Sequence, residues 1–214
     1  MTLRRWNRRF ALGMALLGLA CGGDGGGTQP PGPPADLVKS GGDGQSWYFN
    51  NPLPTALSVT AVDVDGRAVP GVVIMWAVAS GGGSVTPTQS TTNANGVATT
   101  TDSIGGSTIQ MVNATFTGLA GPVSFTEQAT TPPTAAAVNV GDNFFDKASV
   151  VVQVNSAVTW TWTGQVGHSV TFTGGPDSGV QPSGTFQRTF TSTGVFNYFC
   201  KVHLGMTGSV TVVH

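Results

Sequence analysis

The sequence predicts an all-β protein made of two β-sandwich domains, and three observations support this fold class. Charged residues make up only 9% of the 214 residues, whereas the chain contains 31 glycines and 13 prolines. Helical bundles and coiled coils need Ala, Leu, Glu and Lys at helical period, so this composition favours short strands joined by turns. Apolar and polar residues also alternate in several short stretches, as they do in half-buried strands. A Thr/Pro-rich break at residues 130–134 separates two strand-rich regions, which we expect to be domains over residues 36–131 and 135–214.

The N-terminal segment has the organisation of an export signal. Four arginines lie among the first nine residues, followed by an apolar run over residues 10–20. This run is too short for a membrane-spanning helix, which needs about 20 residues. We therefore assign residues 1–20 to a signal peptide. Residues 21–35 are rich in glycine and proline and cannot bury much apolar surface, so we expect them to form a tether.

The letters LGLAC at residues 17–21 resemble a bacterial lipoprotein signal, in which the cysteine becomes the lipidated first residue of the mature protein. The resemblance implies a lipid anchor at Cys21 and an extracytoplasmic location, in the periplasm or at the cell surface. Gly18 stands where that pattern usually has leucine, so an ordinary secretory signal with an incidental cysteine is the alternative. The net charge of −1 and the lack of a basic run beyond the export signal argue against nucleic-acid binding.

The first domain carries the sequence signals of a sandwich of short strands. Alternating apolar residues predict two of its strands, the first with Leu57, Val59 and Ala61 and the second with Val72, Ile74, Trp76 and Val78. Asp-Gly at residues 65–66 and Asn-Gly at residues 95–96 are strong turn signals. Asp63 and Asp65 supply two carboxylates, well short of the 6–8 oxygens that calcium takes, so we interpret them as turn residues.

Four stretches of the first domain resemble bacterial Ig-like domains of the invasin and intimin kind. They are SGGDGQS from residue 40, AVDVDGRAVPGVV from residue 61, SGGGSV from residue 80 and TNANGVA from residue 92. The resemblance implies a rigid spacer on a surface protein, and a role in adhesion stays open as an alternative. Residues 36–131 contain neither histidine nor cysteine, which argues against metal or nucleophile chemistry in this domain.

The second domain contains a group of residues that suits a transition metal. Residues 158–163 alternate apolar side chains with threonine and predict a half-buried strand. Cys200 precedes His203 by three residues, His203 precedes Met206 by three, and His168 lies 32 residues upstream of the cysteine. If the first cysteine carries lipid, Cys200 has no disulfide partner, and a lone thiol in an oxidising compartment is unusual. Two imidazoles, one thiolate and a weak axial thioether suit copper in an electron-transfer site.

Other features of the second domain are interpreted as structural. We expect Gly205 and Gly208 to let the loop after Cys200 fold back, because glycine accepts positive φ without a clash. Phe199 alternates with Cys200 and is expected to point outward, with packing favoured over a docking role. Five aromatic residues are expected in the core: Trp160, Trp162, Phe172, Phe196 and Tyr198.

The Cys-x2-His-x2-Met spacing, the preceding GVFNYF (194–199) and the following MTGSVTV (206–212) resemble the plastocyanin, pseudoazurin and amicyanin group of cupredoxins. The resemblance implies a Greek-key sandwich with one type 1 copper per chain and the transfer of single electrons rather than enzymatic catalysis. It also implies four copper ligands: His168, Cys200, His203 and Met206. Ser169 stands where many members have asparagine, and Val202 stands where many have proline. Because residues around the ligands tune a metal site, we expect the reduction potential to differ from that of those members.

In this family the second loop histidine reaches the surface through an apolar patch at which redox partners dock. The resemblance implies such a patch here, with Leu204 and Val166 beside His203. Three basic and three acidic residues give residues 135–214 no net charge, so we expect apolar docking with weak electrostatic steering.

Four alternatives remain open at this stage. One is a copper-binding or copper-delivery surface protein that does not shuttle electrons, and another is an Ig-like adhesin with a secondary copper domain. Zinc accepts similar ligand types, although a thioether is a poor zinc ligand. The fourth alternative is that no metal binds. In that case Cys200 and Met206 are core residues, and His168 and His203 are surface residues.

Overall fold

The computed structural model describes residues 29–214 and confirms the predicted all-β class. These residues form seventeen strands and no helix. The predicted signal peptide, Cys21 and most of the predicted tether lie outside the described residues. Within residues 29–214, no helix is both long and apolar enough to cross a membrane.

Nine strands form the first sandwich. They are β1 (Asp36–Gly41), β2 (Ser46–Tyr48), β3 (Leu57–Val62), β4 (Val73–Ser80), β5 (Gly83–Thr86), β6 (Gln89–Thr91), β7 (Val97–Ile104), β8 (Ile109–Thr115) and β9 (Val123–Thr130). One sheet has the order β1-β3-β7-β5 and the other the order β2-β9-β8-β4-β6. Buried apolar side chains from both sheets form one core, which includes Leu57, Ile74, Trp76 and Phe125.

The alternation that predicted strands in the first domain corresponds to burial. The three alternating apolar residues of β3, Leu57, Val59 and Ala61, are fully buried, because a strand points alternate side chains to the same face. The second predicted strand begins one residue later than its pattern, since Val72 precedes β4. The Asp63 carboxylate accepts hydrogen bonds from the backbone N–H groups of Asp65 (2.9 Å) and Arg67 (2.8 Å). Asp63 therefore closes a turn, as expected.

Eight strands form the second sandwich. They are β10 (Ala135–Gly141), β11 (Phe144–Asp146), β12 (Ser149–Gln153), β13 (Ser156–Trp162), β14 (Thr171–Phe172), β15 (Thr185–Phe190), β16 (Gly194–Phe199) and β17 (Thr207–Val213). One sheet has the order β11-β10-β13-β15 and the other the order β12-β17-β16-β14. The pairs β10/β13 and β12/β17 are parallel, and the other pairs in these two sheets are antiparallel.

An aromatic cluster fills the core of the second sandwich, as the sequence predicted. The Trp160 ring packs edge-on against Phe172 and Tyr198, with centroid distances of 5.7 and 5.2 Å. Trp162 is also buried, and Phe196 packs half-buried against the same cluster. Such edge-to-face pairs add stability beyond the apolar area that they bury. This core gives the loops at one end of the sandwich a rigid base.

A polar contact joins the two sandwiches. The side chain of Asn51, itself buried in the first sandwich, accepts a hydrogen bond from the His214 N–H (2.9 Å) and donates one to the His214 carbonyl (3.2 Å). Both backbone groups of His214 are thereby paired.

Candidate metal centre

The loop between β16 and β17 folds back on itself and brings its two ends together. Cys200 follows β16 directly, and its N–H donates to the carbonyl of Met206 (3.0 Å), which precedes β17. Within the loop, the Met206 N–H donates to the His203 carbonyl (3.3 Å). Gly205 takes a φ of 84°, as predicted, which a side chain would disfavour.

The expectation for Gly208 was wrong. This glycine lies in β17 and is not among the residues with positive φ. A Cβ atom at this position would instead clash with the Tyr198 ring and the Ala148 carbonyl. Gly208 is therefore needed for a close approach between strands, while Gly205 provides the bend.

His168 is held in place by its backbone. Its N–H and carbonyl exchange two hydrogen bonds of 3.0 Å with the backbone of Gln181, and the Trp162 indole N–H donates to the same carbonyl (3.1 Å). The residue is completely buried just before β14. Because the side chain is completely buried, it has little freedom to turn away from the site.

The side chains of three predicted ligands converge on one point. The Cys200 Sγ lies 3.8 Å from the Nδ1 of His168 and 3.6 Å from the Nδ1 of His203. The ligand atoms of the three residues all lie within 4.8 Å of one another, and the two imidazole centroids are 4.5 Å apart. Met206, the fourth predicted ligand, is buried in the same core and bonded to Cys200 through its backbone.

These distances fit a single metal ion between the three ligands. Metal–sulfur bonds of about 2.3 Å and metal–nitrogen bonds of about 2.0 Å, taken from zinc sites, place sulfur and nitrogen about 3.5–3.8 Å apart at tetrahedral to trigonal angles. The two sulfur–nitrogen distances observed here, 3.6 and 3.8 Å, lie in or at the edge of this range. The donor set of one thiol and two imidazoles, with a buried thioether nearby, is of the soft type that copper prefers.

Ser169 contacts both the thiol and the loop that carries it. Its N–H donates to the Cys200 Sγ (3.4 Å), and its Oγ accepts a hydrogen bond from the Lys201 N–H (2.9 Å). The same Oγ lies 3.0 Å from the Oγ1 of Thr171. Ser169 is completely buried, so these contacts are shielded from water. Ser169 thus lies directly beside the Cys200 thiol and the loop that follows it.

Asp142 also reaches the site, and the sequence did not indicate it. Its Oδ1 accepts hydrogen bonds from the N–H groups of Gln165 (2.8 Å) and Val166 (3.1 Å) and lies 3.5 Å from the Nε2 of His168. The N–H groups of Val166 and Gln165 hold the pKa of this carboxyl below its usual value. The letters GDNF around Asp142 are typical of a turn and contain no signal that links them to a histidine 26 residues later.

Exposed apolar side chains flank the ligands in the chain. Leu204 is fully exposed, Val202 and Val166 are about half exposed, and His203 between the first two is half-buried. The predicted docking residues Leu204 and Val166 are therefore accessible. Phe199, expected to point outward, is half-buried. The neighbouring Lys201 forms an ion pair with Asp177, which neutralises its charge.

Comparison with solved structures finds cupredoxins. A reduced amicyanin mutant is 26% identical, with the match covering 37% of this chain and 82% of that protein at a TM-score of 0.33. A reduced Cu(I) form of another amicyanin mutant is 27% identical over 37% of this chain and 82% of that protein, at a TM-score of 0.35. A purple cupredoxin from Nitrosopumilus maritimus is 23% identical over 36% of this chain and 99% of that protein, at a TM-score of 0.32. No protein-family model and no curated protein matches the chain.

Proposed function

We propose that residues 135–214 bind one copper ion in a type 1 site and carry single electrons between redox partners. The observation that supports this most strongly is the convergence of the Cys200 Sγ with the Nδ1 atoms of His168 and His203. A thiolate with two imidazoles and a weak axial thioether is the ligand set of blue-copper electron-transfer sites. Bound copper would supply the redox chemistry by alternating between Cu(II) and Cu(I).

The chain's own residues would bind the ion, keep their positions and exclude water. Cys200 would bind as the thiolate, His168 and His203 through Nδ1, and Met206 as the weak thioether ligand. The Ser169 N–H, which points at the Cys200 sulfur, would stabilise the negative charge of the thiolate. Cys200, Met206 and His168 are all buried. Water therefore has little access to the site from the side of these three residues.

The rigidity of the ligands favours electron transfer over copper delivery. The backbone hydrogen bonds of Cys200, Met206 and His168 tie each of these residues to its surroundings. Ligands that keep their positions in both oxidation states keep the reorganisation small, whereas a delivery protein must open its site to release the ion. The half-buried His203 is the accessible ligand among the three that converge.

The remaining parts of the chain would serve docking, export and spacing. Redox partners would dock on the apolar surface formed by Val166, Val202 and Leu204 beside His203, with weak electrostatic steering. The basic and apolar N-terminal segment supports export, and Cys21 supports a lipid anchor to a bacterial membrane, in the periplasm or at the cell surface. The first sandwich would act as a spacer between that anchor and the copper domain.

Copper loading tests the function directly. We expect the full chain to take up one Cu(II) with an intense visible thiolate-to-copper band and to give reversible one-electron voltammetry. Cys200→Ser should abolish the band, while Ser209→Ala, a change at a half-buried position on β17, should leave it unchanged. A band without reversible cycling would favour copper delivery. A wild-type chain without the band would overturn the copper site and favour zinc or an adhesive function.

A further inference from the structure

The two imidazoles of the candidate site differ in what lies behind them. In His168, Nδ1 faces the Cys200 sulfur and Nε2 faces the carboxylate of Asp142 at 3.5 Å. In the described part of the chain, the other imidazole, that of His203, has no carboxylate within ion-pair distance. The two candidate ligands are therefore held by different means.

The position of the Asp142 carboxylate is set by the backbone and not by the histidine. Asp142 and Asn143 form a two-residue turn between β10 and β11, in which Asn143 takes a φ of 70°. The N–H groups of Gln165 and Val166 bind the carboxylate at 2.8 and 3.1 Å, which are shorter contacts than the one to His168. The carboxylate would therefore keep its position even if the imidazole moved.

The loop that leads to His168 is fitted around this carboxylate. Its first N–H groups, from Thr163 and Gly164, both donate to the carbonyl of Val140 at the end of β10 (2.9 and 3.2 Å). A Cβ atom at Gly164 would clash with the Asp142 side chain, so the close approach requires glycine. Asp142 thus connects the β10–β11 turn, the loop over residues 163–167 and the ring of His168.

We propose that Asp142 is a positioning residue that holds His168 with Nδ1 toward the metal and lowers the reduction potential of the site. This inference rests on the proposed copper function. A carboxylate behind a ligating histidine accepts the second ring N–H, fixes the tautomer and makes the ligand more basic. Its negative charge stabilises the oxidised, more positively charged metal more than the reduced one. The Asp142 side chain is 42% exposed, so solvent moderates the charge effect but leaves the orientation effect in place.

A matched pair of variants separates this role from a general loss of charge. Asp142→Asn keeps the Oδ1 acceptor for Gln165 and Val166 and removes the negative charge. Asp146→Asn removes the same charge from an exposed carboxylate in the same sandwich, whose side-chain contact is with Asn139 (3.3 Å). Substitutions behind metal ligands commonly change metal affinity by about 10–100-fold.

We expect Asp142→Asn to weaken Cu(II) binding about tenfold more than Cu(I) binding. For a one-electron couple this ratio corresponds to a rise of about 59 mV in the reduction potential. Asp146→Asn should shift the potential by less than a third of that amount. Equal shifts in the two variants, or a fall in the potential of Asp142→Asn, would overturn the proposal.

A second readout needs neither the variant nor copper. In the metal-free wild-type chain, ¹⁵N chemical shifts should show the neutral His168 ring protonated at Nε2 and unprotonated at Nδ1. Protonation at Nδ1 would overturn the positioning role. A wild-type chain that gives this tautomer but no copper band would refute the copper function and leave the contact with Asp142 standing. A chain with the copper band and a His168 ring protonated at Nδ1 would support the copper function and refute the positioning role of Asp142.

Discussion

Both sandwiches bury ionisable side chains, but the two differ in the hydrogen-bond partners that surround these side chains. In the second sandwich, His168 and Cys200 are surrounded by donors and acceptors, including Ser169. In the first, Asp102 and Glu127 point into the core with three carboxylate oxygens that have no hydrogen-bond partner. In the described part of the chain, the second sandwich leaves a single buried side-chain polar atom unpaired, the neutral indole nitrogen of Trp160.

This difference has consequences for proton binding. Burial raises the pKa of Asp102 to about 6. Burial also raises the pKa of Glu127 to about 7, and the neighbouring Asp102 and Asp43 add to this effect while Lys39 opposes it. A buried carboxylate without a partner is costly, so both groups keep their proton to a higher pH than a free carboxyl does. The core of the first sandwich therefore holds two pH-sensitive carboxyls that lack the kind of hydrogen-bond partners found around His168 and Cys200.

The largest effect should come from pH on the first sandwich. The folded state holds protons on Asp102 and Glu127 that the unfolded chain, with ordinary pKa values of 3.8 and 4.5, has already released. The contribution of these two groups to the free energy of unfolding should therefore be most favourable below pH 4 and fall as the pH rises to about 7. At about 1.4 kcal/mol per pKa unit, the loss amounts to a few kcal/mol. Urea unfolding of the full chain, followed by NMR signals from each sandwich, measures it.

Two variants test whether these carboxyls cause the pH dependence. Combining Asp102→Asn with Glu127→Gln should remove most of the slope between pH 4 and 7. Asp63→Asn is a matched change at a buried carboxylate that accepts hydrogen bonds from the N–H groups of Gly32, Asp65 and Arg67, and it should destabilise the sandwich and leave that slope in place. A double variant that kept the wild-type slope would show that other groups are responsible.

A smaller effect should follow from removing one partner in the second sandwich. Ser169→Ala deletes the acceptor for the Lys201 N–H, and leaving that donor unpaired should cost about 1–2 kcal/mol in the free energy of unfolding. The contact with the Cys200 sulfur comes from the backbone and should persist, so the position of the copper band should hardly change. Ser209→Ala, where the lost partner is the hydroxyl of the exposed Ser149, is the control. A displaced band would show that the hydroxyl itself tunes the site.

The smallest effect on stability should come from Leu204→Asp, because this side chain is fully exposed. We expect a change below about 0.5 kcal/mol. Electron self-exchange between oxidised and reduced copper-loaded chains should nevertheless slow at least tenfold, since two docked copies would bring like charges together. Added salt should restore part of the rate. Val64→Asp adds the same charge at an exposed residue of the first sandwich and should leave self-exchange unchanged. An unchanged rate in Leu204→Asp would remove this face as the docking surface.

Local patterns explain why part of this structure was predictable. The alternation in β3 and β13 identified buried strands, because the period of two holds wherever one face of a sheet is buried. The spacing of Cys200, His203 and Met206 identified the loop, because its residues are close in the chain. Asp142 escaped prediction because its contact with His168 depends on how two distant loops pack. Gly208 was misread because a glycine needed for space looks the same in a sequence as one needed for a bend.

The proposed copper function requires one sulfur and two imidazole nitrogens to bind the same copper ion. X-ray absorption at the copper edge of the loaded full chain measures this ligand set directly. We expect one short copper–sulfur contact with two histidine nitrogens, and loss of the sulfur contact in Cys200→Ser. A wild-type spectrum with only nitrogen and oxygen neighbours would contradict it.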